Sequence, residues 1–149
     1  MRKLLLAIAI ATASIATPAL ADQAPVHTAL LSRLAVGGYD PVAYFTDGRP
    51  VRGTTGHRTT HQGYEYRFTS AEHLAAFRAN PSRYLPQYGG YCAWAVANGY
   101  TAAGNPNNWR IVDGRLYLNY NDEIQTRWER DIPGFIRSAN TNWPSVLSR

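Results

Sequence analysis

The clearest hydrophobic pattern in the chain is a strict alternation from Tyr64 to Phe68, with three aromatic residues on one face and two charged residues on the other. A period of two predicts a β-strand with one buried face. Residues 56–61 precede this strand across a Gln62-Gly63 turn, so the pattern predicts an antiparallel β-hairpin.

A second hairpin is predicted over residues 109–119. Two apolar runs flank the dipeptide Asp113-Gly114, and this pair favours a type I′ turn, whose twist matches that of the flanking strands. The preceding residues 105–108 are rich in asparagine and include a proline, which predicts a loop.

Helical patterns separate and follow the hairpins. Ser70 is a predicted N-cap, with Leu74 and Phe77 spaced for one face of a helix that Pro81 stops. After the second hairpin, residues 121–130 and 133–140 predict two further helices. Because strands and helices do not follow a strand-helix-strand rhythm, the predicted class is α+β, a small single domain of two antiparallel β-hairpins interleaved with short helices. One core is predicted from Tyr66, Phe68, Phe77, Trp94, Trp109 and Leu116.

Composition divides the chain into three predicted segments. Residues 1–21 begin with Arg2 and Lys3, continue with a short apolar run and end in Ala-Leu-Ala, the pattern of a cleaved secretory signal peptide. Residues 22–33 are predicted as a flexible lead-in, and residues 34–149 as the domain. The predicted location is therefore periplasmic or secreted.

The charge of the chain argues against nucleic-acid binding. Arg2 and Lys3 are two of its 15 basic residues and all 10 acidic residues follow the leader, so cleavage lowers the formal net charge from +5 to about +3. The remaining arginines are scattered along the chain, without the basic cluster that a nucleic-acid surface needs. No later segment is apolar for long enough to cross a bilayer.

The only cysteine, Cys92, lies within residues 87–99 at the start of a predicted helix, just after Gly89-Gly90. Unpaired N–H groups in a first helical turn favour the thiolate. One prediction is therefore a partly accessible thiol with a lowered pKa. The alternative is that Cys92 is a small buried apolar residue, as most free cysteines are.

Three histidines are candidates for metal binding beside Cys92, namely His57, His61 and His73. His57 and His61 share a strand face but lie about 13 Å apart at about 3.3 Å per residue, too far to bind one ion together. At most one of the two is expected to join Cys92 at a metal, and each is also explained as a solvated surface residue.

Several motifs together resemble one known family. They are Gly-Tyr-Asp-Pro-Val-Ala-Tyr-Phe at 38–45, Tyr-Arg-Phe-Thr-Ser at 66–70 with Phe77 and Pro81-x-x-Tyr84, Pro-Gln-Tyr-Gly-Gly-Tyr-Cys-Ala at 86–93, and Trp-x-Ile-Val-Asp-Gly-x-Leu-Tyr-Leu-Asn-Tyr at 109–120. In order and spacing they resemble the exported, single-domain branch of the YHS domain family. The resemblance covers nearly all of the chain after the leader.

This resemblance implies a small hairpin-plus-helix module of a kind associated with metal binding through a Phe-Cys-Ser-x-x-Cys pair. Thr69 and a residue near Leu74 stand where those thiols would be, so this metal pair does not carry over. In the exported branch, relatives are described as candidate selenoproteins, and Cys92 matches the selenocysteine position. The resemblance thus favours a functional role for Cys92.

Three functions remain open at the level of sequence. The first is a periplasmic module that binds a soft metal such as copper through Cys92. The second is a thiol redox protein, in which a small outside thiol must resolve oxidised Cys92 because the chain has no other cysteine. The third is a non-catalytic structural domain or one that binds a protein partner. The chain lacks a Cys-x-x-Cys pair and a Gly-x-Ser-x-Gly elbow, so neither motif indicates an enzyme.

Overall fold

The computed structural model describes residues 22–149, and the predicted signal peptide lies outside them. The domain is α+β, as predicted, with two separate two-stranded antiparallel sheets. Its strands are β1 (Thr54–His61), β2 (Tyr64–Phe68), β3 (Asn105–Val112) and β4 (Arg115–Asn119). Its α-helices are α1 (Ala43–Thr46), α2 (Ala71–Ala79), α3 (Pro81–Tyr84), α4 (Ala93–Ala97), α5 (Asp122–Glu129) and α6 (Ile132–Asn142). Short 3-10 turns cover Ala35–Gly38, Gln87–Gly90 and Ser145–Ser148.

Both predicted hairpins are confirmed. Strands β1 and β2 join through Gln62 and Gly63, with φ of 50° and 84°, and β3 and β4 join through Asp113 and Gly114, with φ of 50° and 71°. Two positive φ angles are the type I′ geometry that suits a two-residue hairpin. The predicted loop at 105–108 is wrong, because Asn105 already pairs with Asn119 and a bulge follows before Trp109.

Side-chain caps start the longer helices where the sequence predicts them. Ser70 accepts a hydrogen bond from the His73 N–H at 3.1 Å, and Asn121 accepts one from the Ile124 N–H at 2.9 Å. Each bond satisfies an N–H group that has no partner within its own helix. The cap therefore sets where α2 and α5 begin, directly after β2 and β4.

The same order of secondary-structure elements occurs twice along the chain. Each half runs from a Gly-Gly-Tyr turn through a short helix, a hairpin, a capped helix and a final helix, first over 36–84 and then over 88–142. Within the turns, Val36, Gly37 and Gly38 have φ of 53°, 58° and 81°, and Tyr88, Gly89 and Gly90 have 56°, 61° and 83°. Val36 and Tyr88 adopt a left-handed conformation that non-glycine residues rarely take. The near-identical angles show that the halves are structurally equivalent at their turns.

The buried side chains form two clusters instead of the single core predicted. The first joins the β1–β2 hairpin to α2 through Tyr66, Phe68 and Phe77, and includes Leu116, with Trp109 packed at its edge. The second lies under α5 and α6 around Trp128, and Trp94 packs against this cluster. Trp94 therefore lies apart from the other five residues of the predicted core. Trp128, which is fully buried, was missed.

Residues 22–33, predicted as a flexible lead-in, contact both halves of the domain, and in the first half the Glu65 N–H donates to the Arg33 carbonyl at 2.8 Å. The Gln23 N–H donates to the Leu147 carbonyl at 2.7 Å, and the His27 N–H donates to the Gly89 carbonyl at 2.9 Å. The Tyr91 hydroxyl donates to the Ala24 carbonyl at 2.8 Å, and the His27 ring lies 5.3 Å from the Tyr91 ring. His27 is consequently half-buried. Across residues 22–149, no helix has the length and apolar character needed to cross a membrane.

The buried tyrosines predict a loss of stability at alkaline pH. Burial, with a smaller contribution from neighbouring Tyr64, raises the pKa of Tyr66 to about 12, and burial raises the pKa of Tyr44 and Tyr88 further. An unfolded tyrosine ionises near pH 10, so the stabilisation is complete below pH 10 and is lost as the pH rises through the folded pKa.

We expect urea denaturation to show the free energy of unfolding falling above pH 10, by about 1.4 kcal/mol per pH unit for Tyr66 alone. In the Tyr66→Phe variant the slope should be shallower by that amount. An unchanged slope would contradict the burial of the Tyr66 hydroxyl.

Candidate functional site

Cys92 lies where the second Gly-Gly-Tyr turn enters α4. Its N–H donates to the Ala102 carbonyl at 2.9 Å, and its carbonyl accepts from the Val96 N–H at 3.1 Å. It also forms an isolated parallel bridge with Leu118 of β4. These backbone contacts hold the thiol between α4 and the end of the second hairpin.

A cavity of about 340 Å³ lies beside the thiol. Its lining is mainly apolar and aromatic, and it includes Cys92, Trp94, Ala95, Tyr100, Ala102, Tyr120, Asn121, Glu123 and Ile124. Tyr100 and Tyr120 are about half exposed, whereas Cys92 is only 1% exposed. The cavity is therefore the open space that borders Cys92.

The predicted accessible thiol with a lowered pKa is wrong on both points. Cys92 is buried, and burial raises the pKa of its thiol, while the backbone N–H groups of Ala95, Tyr120 and Trp94 oppose that rise. Helix α4 has only five residues and Cys92 is its N-cap, so the expected helix dipole is short. Desolvation of the thiolate therefore outweighs the local N–H groups.

We call the backbone N–H groups of Trp94, Ala95 and Tyr120 the Cys92 cradle. They come from two separate parts of the chain, the first turn of α4 and the residue after β4. Backbone N–H groups stabilise a negative charge on an atom that they face. The cradle therefore lowers the cost of a negative charge on the Cys92 sulfur, but burial still outweighs it.

A buried amide lies next to the sulfur. Asn119 is fully buried, and its Oδ1 lies 3.6 Å from Cys92 Sγ and accepts from the Trp94 N–H at 3.1 Å. Within residues 22–149, its Nδ2 has no hydrogen-bond partner. A buried amide donor without a partner is uncommon in folded proteins and costs about 1–3 kcal/mol.

The three candidate histidines do not line the cavity beside Cys92. His57 lies in β1, and the His61 ring packs 5.8 Å from the Phe77 ring in the first cluster. His73 lies in α2, with Nδ1 placed 2.6 Å from Asp40 Oδ2. Within the described part of the chain, no three His, Cys, Asp or Glu side chains are close enough together to bind a metal ion.

Asp40 is the centre of a polar site whose extent the sequence did not reveal. Its Oδ1 caps a turn, since it accepts from the N–H groups of Val42 at 2.8 Å and Ala43 at 3.2 Å. Its Oδ2 accepts from the Thr69 N–H at 2.8 Å and the Thr69 hydroxyl at 2.9 Å. With His73 added, the fully buried carboxylate has five donors.

Asp40 and Cys92 occupy equivalent positions in the two halves. Each follows a Gly-Gly-Tyr turn, and each faces the N–H groups of the second and third residues after it. The third N–H in each half comes from the residue after the hairpin, Thr69 for Asp40 and Tyr120 for Cys92. The repeated Gly-Gly-Tyr motif was the sequence signal that could have revealed this pairing.

The two sites differ in what surrounds them. His73 and the Thr69 hydroxyl complete the carboxylate site, whereas Ile124 takes the place of His73 in the second half and lines the cavity. The first half is therefore a closed polar network. The second half combines a nucleophilic atom, a set of backbone donors and a space large enough for a small molecule.

No protein-family model, curated protein or solved structure matches this chain. The resemblance to the YHS domain family therefore stays a prediction from the motifs.

Proposed function

We propose that the protein is an exported thiol redox protein in which Cys92 reacts with a small hydroperoxide that enters the aromatic cavity. The observation that supports it most directly is the position of the sulfur, in the wall of the cavity and within the Cys92 cradle. The cradle offsets part of the desolvation that raises the pKa of the Cys92 thiol, and the thiolate is the reactive form of cysteine. The cavity supplies the access that the 1% exposed side chain otherwise lacks.

The proposed reaction is a two-electron oxidation of sulfur. The Cys92 thiolate attacks one peroxide oxygen, the S–O bond forms, the O–O bond breaks, and the released alkoxide takes up a proton to leave as an alcohol or water. Cys92 becomes a sulfenic acid. Because the chain contains one cysteine, two equivalents of a small outside thiol return it to the thiol, through a mixed disulfide and loss of water.

The alternative function, copper binding, has less support from the geometry. A soft ion such as Cu(I) is bound best by sulfur together with further soft or imidazole ligands. The cavity lining offers Cys92 as its sulfur and contains no histidine. Copper binding at Cys92 is therefore tested as a competing outcome, together with a purely structural or partner-binding role.

Peroxide reactivity gives the direct test. We expect tert-butyl hydroperoxide to remove the free thiol of the folded protein, as measured by iodoacetamide labelling and intact mass, and an added thiol to restore it. The Ile124→Trp variant should block the cavity and slow the loss by at least about tenfold, since access limits thiol reactions.

A matched control uses the same helix and the same new side chain. Thr126 is exposed on α5 and does not line the cavity, so Thr126→Trp should react as fast as the unmodified protein. Cys92→Ser should give no labelling. If Cys92 reacts with neither reagent until the protein is unfolded, the redox proposal is wrong. Protection of the thiol by one equivalent of Cu(I), without reaction with peroxide, would instead favour the copper module.

A further inference from the structure

His73 has a second ring nitrogen that does not contact the Asp40 carboxylate. Because a carboxylate oxygen only accepts, His73 Nδ1 carries the proton that it donates to Asp40 Oδ2 at 2.6 Å. In the neutral imidazole, Nε2 then holds a lone pair. This nitrogen lies 3.2 Å from the hydroxyl oxygen of Thr46, the last residue of α1. The imidazole therefore joins a carboxylate at one nitrogen and a hydroxyl at the other.

Solvent exposure increases from the acid to the hydroxyl. Asp40 is fully buried, the His73 side chain is 16% exposed, and Thr46 is exposed. A buried acid that orients a base, which in turn contacts an accessible hydroxyl, is the arrangement that activates hydroxyl nucleophiles. A substrate in solvent therefore has access to Thr46 without any change in the fold.

The second half of the domain shows that the fold does not require these groups. Ile124 stands in place of His73, and Asn98 stands in place of Thr46. The short helix, the hairpin and the capped helix all form there without an imidazole or a hydroxyl at these positions. The contact between His73 and Thr46 is therefore specific to the first half.

We propose that Thr46 is a nucleophile for acyl transfer from small activated esters, with His73 as its general base and Asp40 as the positioning residue for that base. The Thr46 oxygen attacks the ester carbonyl carbon while His73 Nε2 takes the hydroxyl proton. A new C–O bond forms, the original ester C–O bond breaks, and the alcohol leaves with the proton from Nε2. Water, deprotonated by the same nitrogen, then hydrolyses the acyl-threonine. Cys92 takes no part in this reaction.

Asp47 and a backbone carbonyl compete with His73 for the hydroxyl proton. Asp47 Oδ1 lies 2.8 Å from the Thr46 hydroxyl oxygen, and the Val42 carbonyl oxygen lies 3.2 Å from it. The hydroxyl has one proton, so it donates to one of these acceptors at a time. Imidazole is a stronger base than a carboxylate or a carbonyl oxygen. The proton therefore passes to His73 when the Thr46 oxygen attacks.

Acetylation by p-nitrophenyl acetate tests the proposal. Lys3 is the only lysine in the chain, so no other lysine amine competes for the acetyl group. We expect tandem mass spectrometry to locate an acetyl group on Thr46 of the folded protein. Thr46→Val should remove this adduct, whereas Thr46→Ser should retain it. His73→Gln should slow the acetylation of Thr46 by at least about 100-fold, a typical contribution of a general base.

Thr126 provides the matched control. It is exposed on α5, and its hydroxyl donates to the Asp122 carbonyl at 2.9 Å, the same bond to the fourth preceding residue that Thr46 makes to Val42. Within residues 22–149, no histidine is hydrogen-bonded to Thr126, so this residue should stay unmodified. The absence of an adduct on Thr46, equal adducts on the two threonines, or unchanged acetylation in His73→Gln would overturn the proposal.

Three further variants separate the roles of the neighbouring groups. Asp47→Ala should not lower the rate, and a loss there with none in His73→Gln would overturn the assignment of the base. Because Asp40 acts through His73, Asp40→Asn should slow acetylation in the otherwise unchanged chain and have no further effect in the His73→Gln chain. A merely structural loss would appear in both. Cys92→Ser should be acetylated at the original rate, so this test is independent of the redox proposal.

Discussion

Replacing Asp40 by alanine is expected to lower the free energy of unfolding by about 3 to 5 kcal/mol, the range for removing one partner from a buried charged network. The reason is the number of groups left behind. Five donors converge on the fully buried carboxylate, including the Thr69 N–H at 2.8 Å and His73 Nδ1 at 2.6 Å. Each buried donor without a partner retains its desolvation cost. Urea denaturation followed by tryptophan fluorescence measures the loss.

Asp47 offers a matched control because it is a second carboxylate near the same histidine. Its Oδ1 lies 3.9 Å from His73 Nε2, and its side chain is 35% exposed. Asp47→Ala should therefore change the free energy of unfolding by less than about 1 kcal/mol. Equal losses for the two variants would show that the buried network around Asp40 does not stabilise the first half.

Replacing Trp128 by alanine is expected to cost about 3 to 5 kcal/mol, as for other buried aromatic residues. Trp128 is fully buried, and its ring lies 5.6 Å from the Tyr117 ring in the second cluster. Removing the indole leaves a cavity in the second cluster. Thermal and urea denaturation should both report the loss.

Two further substitutions serve as comparisons for Trp128→Ala. Phe77 takes the place of Trp128 in the first half and is 1% exposed, so Phe77→Ala should fall in the same range of about 3 to 5 kcal/mol. Tyr120, in contrast, is 52% exposed, and Tyr120→Ala should change the free energy of unfolding by less than about 1 kcal/mol. A Trp128→Ala variant as stable as Tyr120→Ala would contradict the second cluster.

The equivalent sites of the two halves, at Asp40 and Cys92, differ in their polar groups. In the first half, Asp40 and His73 form a closed network in which every donor to the carboxylate is used. In the second half, Cys92 replaces the carboxylate and Ile124 replaces the histidine, so the polar network gives way to a cavity and a thiol. We therefore expect substitutions around Asp40 to affect stability, and substitutions around Cys92 to affect peroxide reactivity.

Local sequence was sufficient for the elements that depend on neighbouring residues. The alternation from Tyr64 to Phe68 and the Asp113-Gly114 turn predicted both hairpins, because strand periodicity and type I′ turns are set by residues in direct succession. The Ser70 and Asn121 caps were equally predictable from the sequence, since each side chain accepts a hydrogen bond from the N–H group three residues later. The α+β class follows from these elements alone.

Only the tertiary structure decided the state of Cys92. The position of the thiol at the start of α4 was predicted, but its burial depends on the second hairpin, which places Leu118 and Asn119 against Cys92. The same holds for His73, whose partner Asp40 lies in a distant turn. Periodicity and caps report interactions within one element, whereas burial, and with it the pKa of a thiol, depends on which elements pack together. For this reason the sequence identified Cys92 as a candidate residue, while the fold determined its surroundings.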